Sequence, residues 1–215
     1  MTGLVEEIQA AAIDDAVPVS TLLRKVKLAA VKLQLPKVEA WVECELNGYG
    51  DGEVPDYRRF TGVPKAYNPV RGWIDIHADA RIYSRINKAS TGQSIATIEQ
   101  LVADQDGRIV VPMDRELIDI INANSRVAFA RMAVHLGRAD VAAIIDHVRN
   151  LVLNWAIELE RNGILGEGIS FSQTEKEKAH QVINIGTFNG VMGNDNQVGN
   201  IVGEDMNNVE PATRD

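Results

Sequence analysis

The residue types that most often carry out chemistry are sparse in this chain of 215 residues. Its four histidines are His77, His135, His147 and His180. A metal site needs several converging ligands, and only His147 has an acidic neighbour, Asp146. Because adjacent residues on a helix do not share a face, we interpret His147 as a surface residue. The sequence predicts no bound metal.

Nucleophilic chemistry also lacks a recognisable pattern. The single cysteine, Cys44, cannot form an internal disulfide or a zinc site alone. It lies between Val42 and Leu46, which predicts a small core or boundary residue. The chain has no Gly-x-Ser-x-Gly motif that would activate a serine. We therefore predict no catalytic residues and a protein that is not an enzyme. The alternative is an enzyme or toxin whose active site is assembled from scattered polar residues.

Two glycine-rich segments, residues 48–52 and 166–168, have the composition of phosphate-binding loops. Neither has the preceding strand and following helix that such a loop requires, so both are predicted to be connections. The alternating charges of residues 175–178 are interpreted as a solvated helix face. We expect no metal, nucleotide or redox cofactor.

The charge balance argues against nucleic acid as a partner. Twenty-two basic and 30 acidic residues give a net charge of −8, whereas nucleic-acid binding depends on neutralising phosphates. The sequence shows no secretory leader and no apolar run of membrane-spanning length. We therefore expect a cytoplasmic protein without a membrane-spanning segment.

Apolar spacing indicates which elements would have to position any functional residue. Aromatic residues make up only 5% of the chain, so the core must depend on aliphatic side chains, which favours helices. The clearest stripe predicts a central helix near residues 140–162, with Trp155 in the core. Other apolar patterns predict helices in the first 47 residues and around residues 95–102 and 114–121. The proposed N-caps are Ser20, Ser94, Asp114 and Asp140.

Short β-like segments separate these helices. Extended structure is predicted around residues 57–63, 109–111 and 126–135. Residues 73–87 are ambiguous, since Ile74 and Ile76 alternate as in a strand whereas residues 78–86 also fit a helix. The predicted fold is therefore mainly α with a minor β component, an α+β class. We divide the chain into a helical domain, residues 1–180, and a short Gly/Asn-rich, β-prone tail, residues 181–215.

The tail differs in composition from the rest of the chain. Residues 183–203 contain one charged residue, Asp195, together with five glycines and five asparagines. The segment repeats after 13 residues, so that residues 184–190 align with residues 197–203. Low charge, β-propensity and absence of proline favour cross-β stacking, in which equivalent amides form ladders. A flexible polar tail is the alternative.

Under the stacking hypothesis, two kinds of tail residue mediate self-association. Some occupy positions that match between the two repeats, and others supply the apolar contacts or the amide ladders of the stack. These residues are Ile183, Asn184, Ile185, Gly186, Phe188, Asn189, Gln197, Val198 and Gly199. The protein is accordingly predicted to be a homo-oligomer assembled through its tail.

Several segments carry a resemblance to a known family. They are Leu-Val-Glu-Glu-Ile at 4–8, Ser-Thr-Leu-Leu-Arg-Lys at 20–25, Glu-Leu-Asn-Gly-Tyr at 45–49, Val-Pro-Asp-Tyr-Arg at 54–58, the helix at 148–160 and Gly-Glu-Gly-Ile-Ser-Phe at 166–171. The segments at 45–49 and 166–171 are the distinctive ones. Together all of these segments resemble the AbiTii family of bacterial abortive-infection proteins over roughly residues 4–180. The resemblance implies a role in anti-phage defence and supplies no catalytic residues.

The tail carries a second resemblance. The run Ile-Asn-Ile-Gly-Thr-Phe-Asn at 183–189 is similar to the core of the RIP homotypic interaction motif and of related bacterial amyloid signalling sequences. Asn184 occupies a position where glutamine is more usual. This resemblance implies assembly with an effector or sensor protein that carries a similar motif. The predicted function is thus an interaction protein of abortive infection whose tail mediates homotypic β-type assembly.

Overall fold

The computed structural model describes residues 2–104, 109–123, 125 and 127–183. Over these residues the chain is mainly helical with a minor β component, which confirms the predicted fold class. The helices are α1 (Leu4–Ile13), α2 (Val19–Leu33), α3 (Pro36–Asn47), α4 (Ala80–Ile86), α5 (Ile95–Ala103), α6 (Arg115–Ala123), α7 (Arg138–Arg161) and α8 (Gln173–Ile183), and a 3₁₀ turn spans Asp56–Arg58. The strands are β1 (Arg59–Thr61), β2 (Val63–Asn68), β3 (Gly72–Asp75), β4 (Lys88–Ser90), β5 (Ile109–Pro112) and β6 (Met132–Leu136).

The core lies where the first three helices pack against α5 and α7. The predicted stripe on α7 is confirmed, since its apolar residues are buried and Trp155 is only 2% exposed. Helix α1 lies along α7, and the guanidinium of Arg149 on α7 donates to carbonyl oxygens at the end of α1 and in the loop that follows it. Its acceptors are the carbonyls of Ala11, Ala12, Asp14 and Val17, at 3.3, 3.3, 3.0 and 2.7 Å. A cation at a helix C-terminus satisfies carbonyls that have no partner within the helix.

Two of the predicted N-caps are wrong. Ser20 lies inside α2, where it is buried, and the N–H groups of Val19 and Ser20 instead donate to Oε1 of Glu99 on α5, at 2.5 and 3.3 Å. Asp140 is the third residue of α7, and its carboxylate accepts the N–H of Gly137 at 3.0 Å. Ser94 does cap α5, since its hydroxyl accepts the N–H of Thr97. A carboxylate from another helix can therefore replace a local cap.

The strands form two antiparallel groups in the described part of the chain. One is a four-stranded sheet of order β3-β2-β6-β5, and the other is a two-stranded ribbon of β1 and β4. Gly62 joins β1 to β2 at a crossing where a Cβ would lie 2.6 Å from the carbonyl oxygen of His135, so a side chain does not fit there. The extended segment predicted over 126–135 forms a strand only at Met132–Leu136 in the residues described.

Helix α8 is fixed to the domain at its first turn. Ser172 and Glu175 exchange hydrogen bonds in a capping box, with the N–H of Ser172 donating to Glu175 at 2.8 Å. The other oxygen of Glu175 accepts the N–H groups of Leu165 and Gly166, at 3.1 and 2.8 Å. Glu175 is thus an anchor, although its charged neighbourhood suggested only a solvated face. The helix continues to Ile183, past the predicted domain boundary at residue 180.

None of the described helices is both long and apolar enough to cross a membrane.

Candidate functional site

The predicted self-association residues fall almost entirely outside the described part of the chain. Ile183 is the last residue of α8. The remaining ones, Asn184, Ile185, Gly186, Phe188, Asn189, Gln197, Val198 and Gly199, lie beyond the described residues. Their role stays a prediction.

Within the folded domain, the chemically most unusual residue is Glu45. Helix α3 buries Val38, Trp41, Val42 and Glu45, which recur at intervals of three and four and therefore share one face. Glu45 is 0% exposed. Burying a carboxylate costs several kcal/mol unless charge and hydrogen bonds compensate. A carboxylate in an apolar stripe was the signal in the sequence that could have identified this residue.

The compensating charge comes from Arg58, which is also 0% exposed. The 3₁₀ turn that follows Pro55 carries Arg58 back against α3. Nη2 of Arg58 donates to Oε2 of Glu45 at 2.5 Å, and Nε donates to Oε1 at 3.1 Å. This bidentate geometry is the strongest arrangement available to the pair. Burial lowers the pKa of Arg58, but its hydrogen bonds to Glu45 outweigh burial, so the pKa lies above its ordinary value.

Two tyrosines complete the hydrogen bonding of Glu45. The hydroxyls of Tyr49 and Tyr57 both donate to Oε1, at 2.6 and 2.5 Å. The indole N–H of Trp41 donates to the Tyr57 hydroxyl at 3.0 Å. The pKa of both tyrosines lies well above the ordinary value. Burial is the larger cause, and the nearby negative charge of Glu45 is the next. Both phenols therefore stay protonated and act as donors. We call Trp41, Glu45, Tyr49, Tyr57 and Arg58 the buried charge cluster.

The buried charge cluster also fixes a neighbouring loop. Nη1 of Arg58 donates to the carbonyls of Gln93 and Thr91, at 2.7 and 3.4 Å. The N–H of Tyr49 donates to the carbonyl of Gly92 at 2.8 Å. Gly48 has a φ of 93°, and a Cβ at this position would lie 2.9 Å from the Gly92 carbonyl oxygen, so glycine is required. Residues 91–93 are thereby held against the end of α3.

A contact from α7 extends the buried charge cluster. His147 stacks on Tyr57, with ring centroids 4.5 Å apart and an interplanar angle of 23°. His147 is exposed, as predicted. The stack covers Tyr57 from the side of the central helix. Cys44 is partly buried, in agreement with its predicted place at the edge of the core.

An open cleft of about 880 Å³ lies beside the cluster. Its walls come from the 50–54 loop, the β1–β4 ribbon with Gly92, and the segment from β5 into α6, together with Val134. The loop that Arg58 holds is therefore part of the lining of the cleft. The cleft was not predicted, because its walls come from segments up to 84 residues apart along the chain, between Gly50 and Val134.

Comparison with known proteins agrees with the earlier resemblance. No curated protein and no solved structure matches the chain. The family model AbiTii matches residues 3–184, which include the buried charge cluster, the cleft and all described helices. A match over most of the chain shows membership: the chain belongs to the AbiTii family, which places it in abortive-infection defence against phage.

Proposed function

We propose that this protein acts in abortive infection by association: its folded domain recognises a trigger or partner, and its tail self-associates through β-type stacking. The observation that carries the proposal is the 13-residue repeat within residues 183–203, where one charge occurs in 21 positions. Charge repulsion and proline are the usual features that keep strands from stacking, and this segment is nearly free of both.

The arrangement of the domain supports this division of roles. The AbiTii match ends at residue 184, and the repeat begins at residue 184, so the two parts adjoin. Helix α8, which leads to the tail, is fixed to the domain by Glu175 and by the fully buried Ala179. Assembly of the tail would therefore bring several folded domains together. A sensor or effector with a similar motif would join the same stack.

Tail deletion tests the proposal. A variant that ends at Ile183 keeps the whole of α8, including Ala179, so its domain is expected to fold. In cells challenged with phage, this variant should lose protection, and the purified variant should sediment as a smaller species than the full chain. Protection at the level of the full chain would contradict the proposal.

The alternative is an enzyme or toxin effector, and the open cleft favours it, because concave sites are where most enzymes bind substrates. Such an effector keeps its activity as a truncated monomer. Retained toxicity of the variant that ends at Ile183, with loss on substitution of cleft residues, would select this alternative.

A further inference from the structure

The cleft beside the buried charge cluster has the size of a small-molecule site, and its lining is more polar than apolar. Its volume of about 880 Å³ lies in the range of ligand sites, about 300–1,000 Å³. Such sites combine apolar walls with a few placed polar groups. The chemistry of its walls therefore indicates which ligand fits.

One wall presents two cations and two hydroxyls on the same face. In the β1–β4 ribbon Arg59 lies opposite Ser90, and Thr61 lies opposite Lys88. Residues paired in this way, and two apart along a strand, project from one face. All four line the cleft, as do Phe60 and Ala89, which lie on the opposite face of the ribbon. Two cations and two hydroxyl donors match the several oxygens of a phosphate better than the two oxygens of a carboxylate.

Lys88 is the cation best placed to take an anion. In the described ranges it makes no ion pair, whereas Arg59 lies 3.7 Å from a carboxylate oxygen of Asp56 and also donates to the Val54 carbonyl. Arg59 is therefore partly committed to the adjoining loop. An anion bound by Lys88 would therefore displace no ion-pair partner among the described residues.

The other walls suit the rest of a nucleoside. The apolar part of the lining comes from Val111 on β5, Met113 just after β5, Leu117 on α6 and Val134 on β6. Val111 and Leu117 are partly exposed and offer a surface for a flat ring, whereas Met113 and Val134 are buried. Carboxylates at Asp51, Glu53 and Asp114 are acceptors for hydroxyl and amino donors. These acidic groups would repel a simple anion, so a bare phosphate matches only one of the three walls.

We propose that the cleft binds a nucleoside phosphate, with the phosphate on Lys88, Ser90 and the ribbon, the base against the apolar wall, and the sugar or base donors on the carboxylates. This ligand departs from the expectation of no bound nucleotide, because the cleft is built from segments that are far apart in the sequence and contains no contiguous phosphate-loop motif. The loop that Arg58 holds through Thr91 and Gln93 makes this wall of the cleft preformed. The inference does not depend on the tail.

Calorimetric titration of the full-length protein tests the site. The probes are the 5′-mono- and triphosphates of adenosine, guanosine, cytidine and uridine, with the free nucleosides and inorganic phosphate for comparison. At least one nucleotide should bind more tightly than its nucleoside and than phosphate. Lys88→Gln should weaken that binding about tenfold or more, since it removes a charged hydrogen bond. Ser90→Ala should weaken it less.

Lys37→Gln is the matched control, because Lys37 is exposed, carries the same charge and does not line the cleft. It should leave nucleotide affinity unchanged, and Lys88→Arg should retain most of it. Circular dichroism and thermal unfolding without ligand verify that each variant folds. The proposal is overturned if no nucleotide binds at millimolar concentration, if Lys37→Gln and Lys88→Gln weaken binding equally, or if inorganic phosphate binds as tightly as every nucleotide.

Discussion

The guanidinium of Arg58 donates to both carboxylate oxygens of Glu45, and neither side chain is exposed. The two residues are 13 positions apart, one on α3 and the other in the turn that precedes the β1–β4 ribbon. The pair thus joins the helical core to the β region. Because each charge has lost its water, the contribution of each depends on the other.

Removing one member of the pair should be strongly destabilising. Arg58→Met leaves the Glu45 carboxylate buried without a counter-charge, which is expected to lower the free energy of unfolding by about 3–5 kcal/mol. Urea unfolding followed by circular dichroism measures this. The double variant Glu45→Leu/Arg58→Met should cost less than the sum of the single variants, since it leaves no lone charge. Additive costs, or a loss below about 1 kcal/mol for Arg58→Met, would contradict a coupled buried pair.

The tyrosines of the buried charge cluster predict a loss of stability at alkaline pH. Burial and Glu45 raise the pKa of Tyr49 and Tyr57 in the folded protein, whereas unfolded tyrosine titrates near pH 10. Above about pH 10 unfolding therefore releases protons, and the free energy of unfolding falls as pH rises; below that pH the stabilisation is fully present.

Urea unfolding between about pH 8 and pH 11 tests this dependence. The double variant Tyr49→Phe/Tyr57→Phe should show a shallower alkaline decline than the wild type, because it has lost both perturbed phenols. Tyr83→Phe, on α4 and outside the cluster, is the control and should keep the wild-type slope. Equal slopes in all three proteins would show that neither cluster phenol is perturbed.

Glu175 predicts a separate dependence at acidic pH. Burial raises the pKa of Glu175, but hydrogen bonds from Ser172, Gly166 and Leu165 outweigh it and place the pKa below the ordinary value. The stabilisation is therefore present above about pH 4.5 and is lost as the pH falls further. Glu175→Gln should cost about 1 kcal/mol at neutral pH and flatten the acid dependence. Glu177→Gln, exposed on the same helix, should do neither; matching acid profiles for both variants would refute this role.

The central helix predicts a large cost for loss of its aromatic core residue. Trp155→Ala should lower the free energy of unfolding by about 3–5 kcal/mol, because the buried ring leaves a cavity that its neighbours fill only in part. Asn154→Ala, one residue away and exposed, is the control and should change stability by less than about 0.5 kcal/mol. Chemical denaturation of both variants decides whether α7 has the central role that its apolar stripe indicates.

Local patterns predicted the helices well and their connections poorly. The stripe of α7, with Trp155, depends only on the spacing of apolar residues along one segment, and it is confirmed. The cap of α2 comes from Glu99, some 80 residues away, which no local pattern contains. Ser20, which the sequence suggested as the cap, is instead a buried residue of the first turn of α2.

The candidate site shows the same limit at longer range. Glu45 carries a local signal, a carboxylate in an apolar stripe. Its partner Arg58 carries none, because the turn that delivers it is defined by tertiary packing. The cleft carries no local signal in the sequence, since Lys88 and Leu117 line it together only after the ribbon and α6 have been placed.

The tail predicts assembly that a single inserted charge abolishes. In a stack of identical chains, like side chains lie above one another, so Ile185→Asp would place a carboxylate at every rung, and their repulsion should prevent stacking. Ile185→Val keeps a β-branched apolar side chain and should assemble as the wild type does. Sedimentation and thioflavin binding of the full-length proteins measure assembly, and circular dichroism confirms that the domain stays folded. A variant that ends at Ile183 provides the unassembled reference. Should that variant assemble as readily as the full chain, or should Ile185→Asp behave like the wild type, the tail does not drive association.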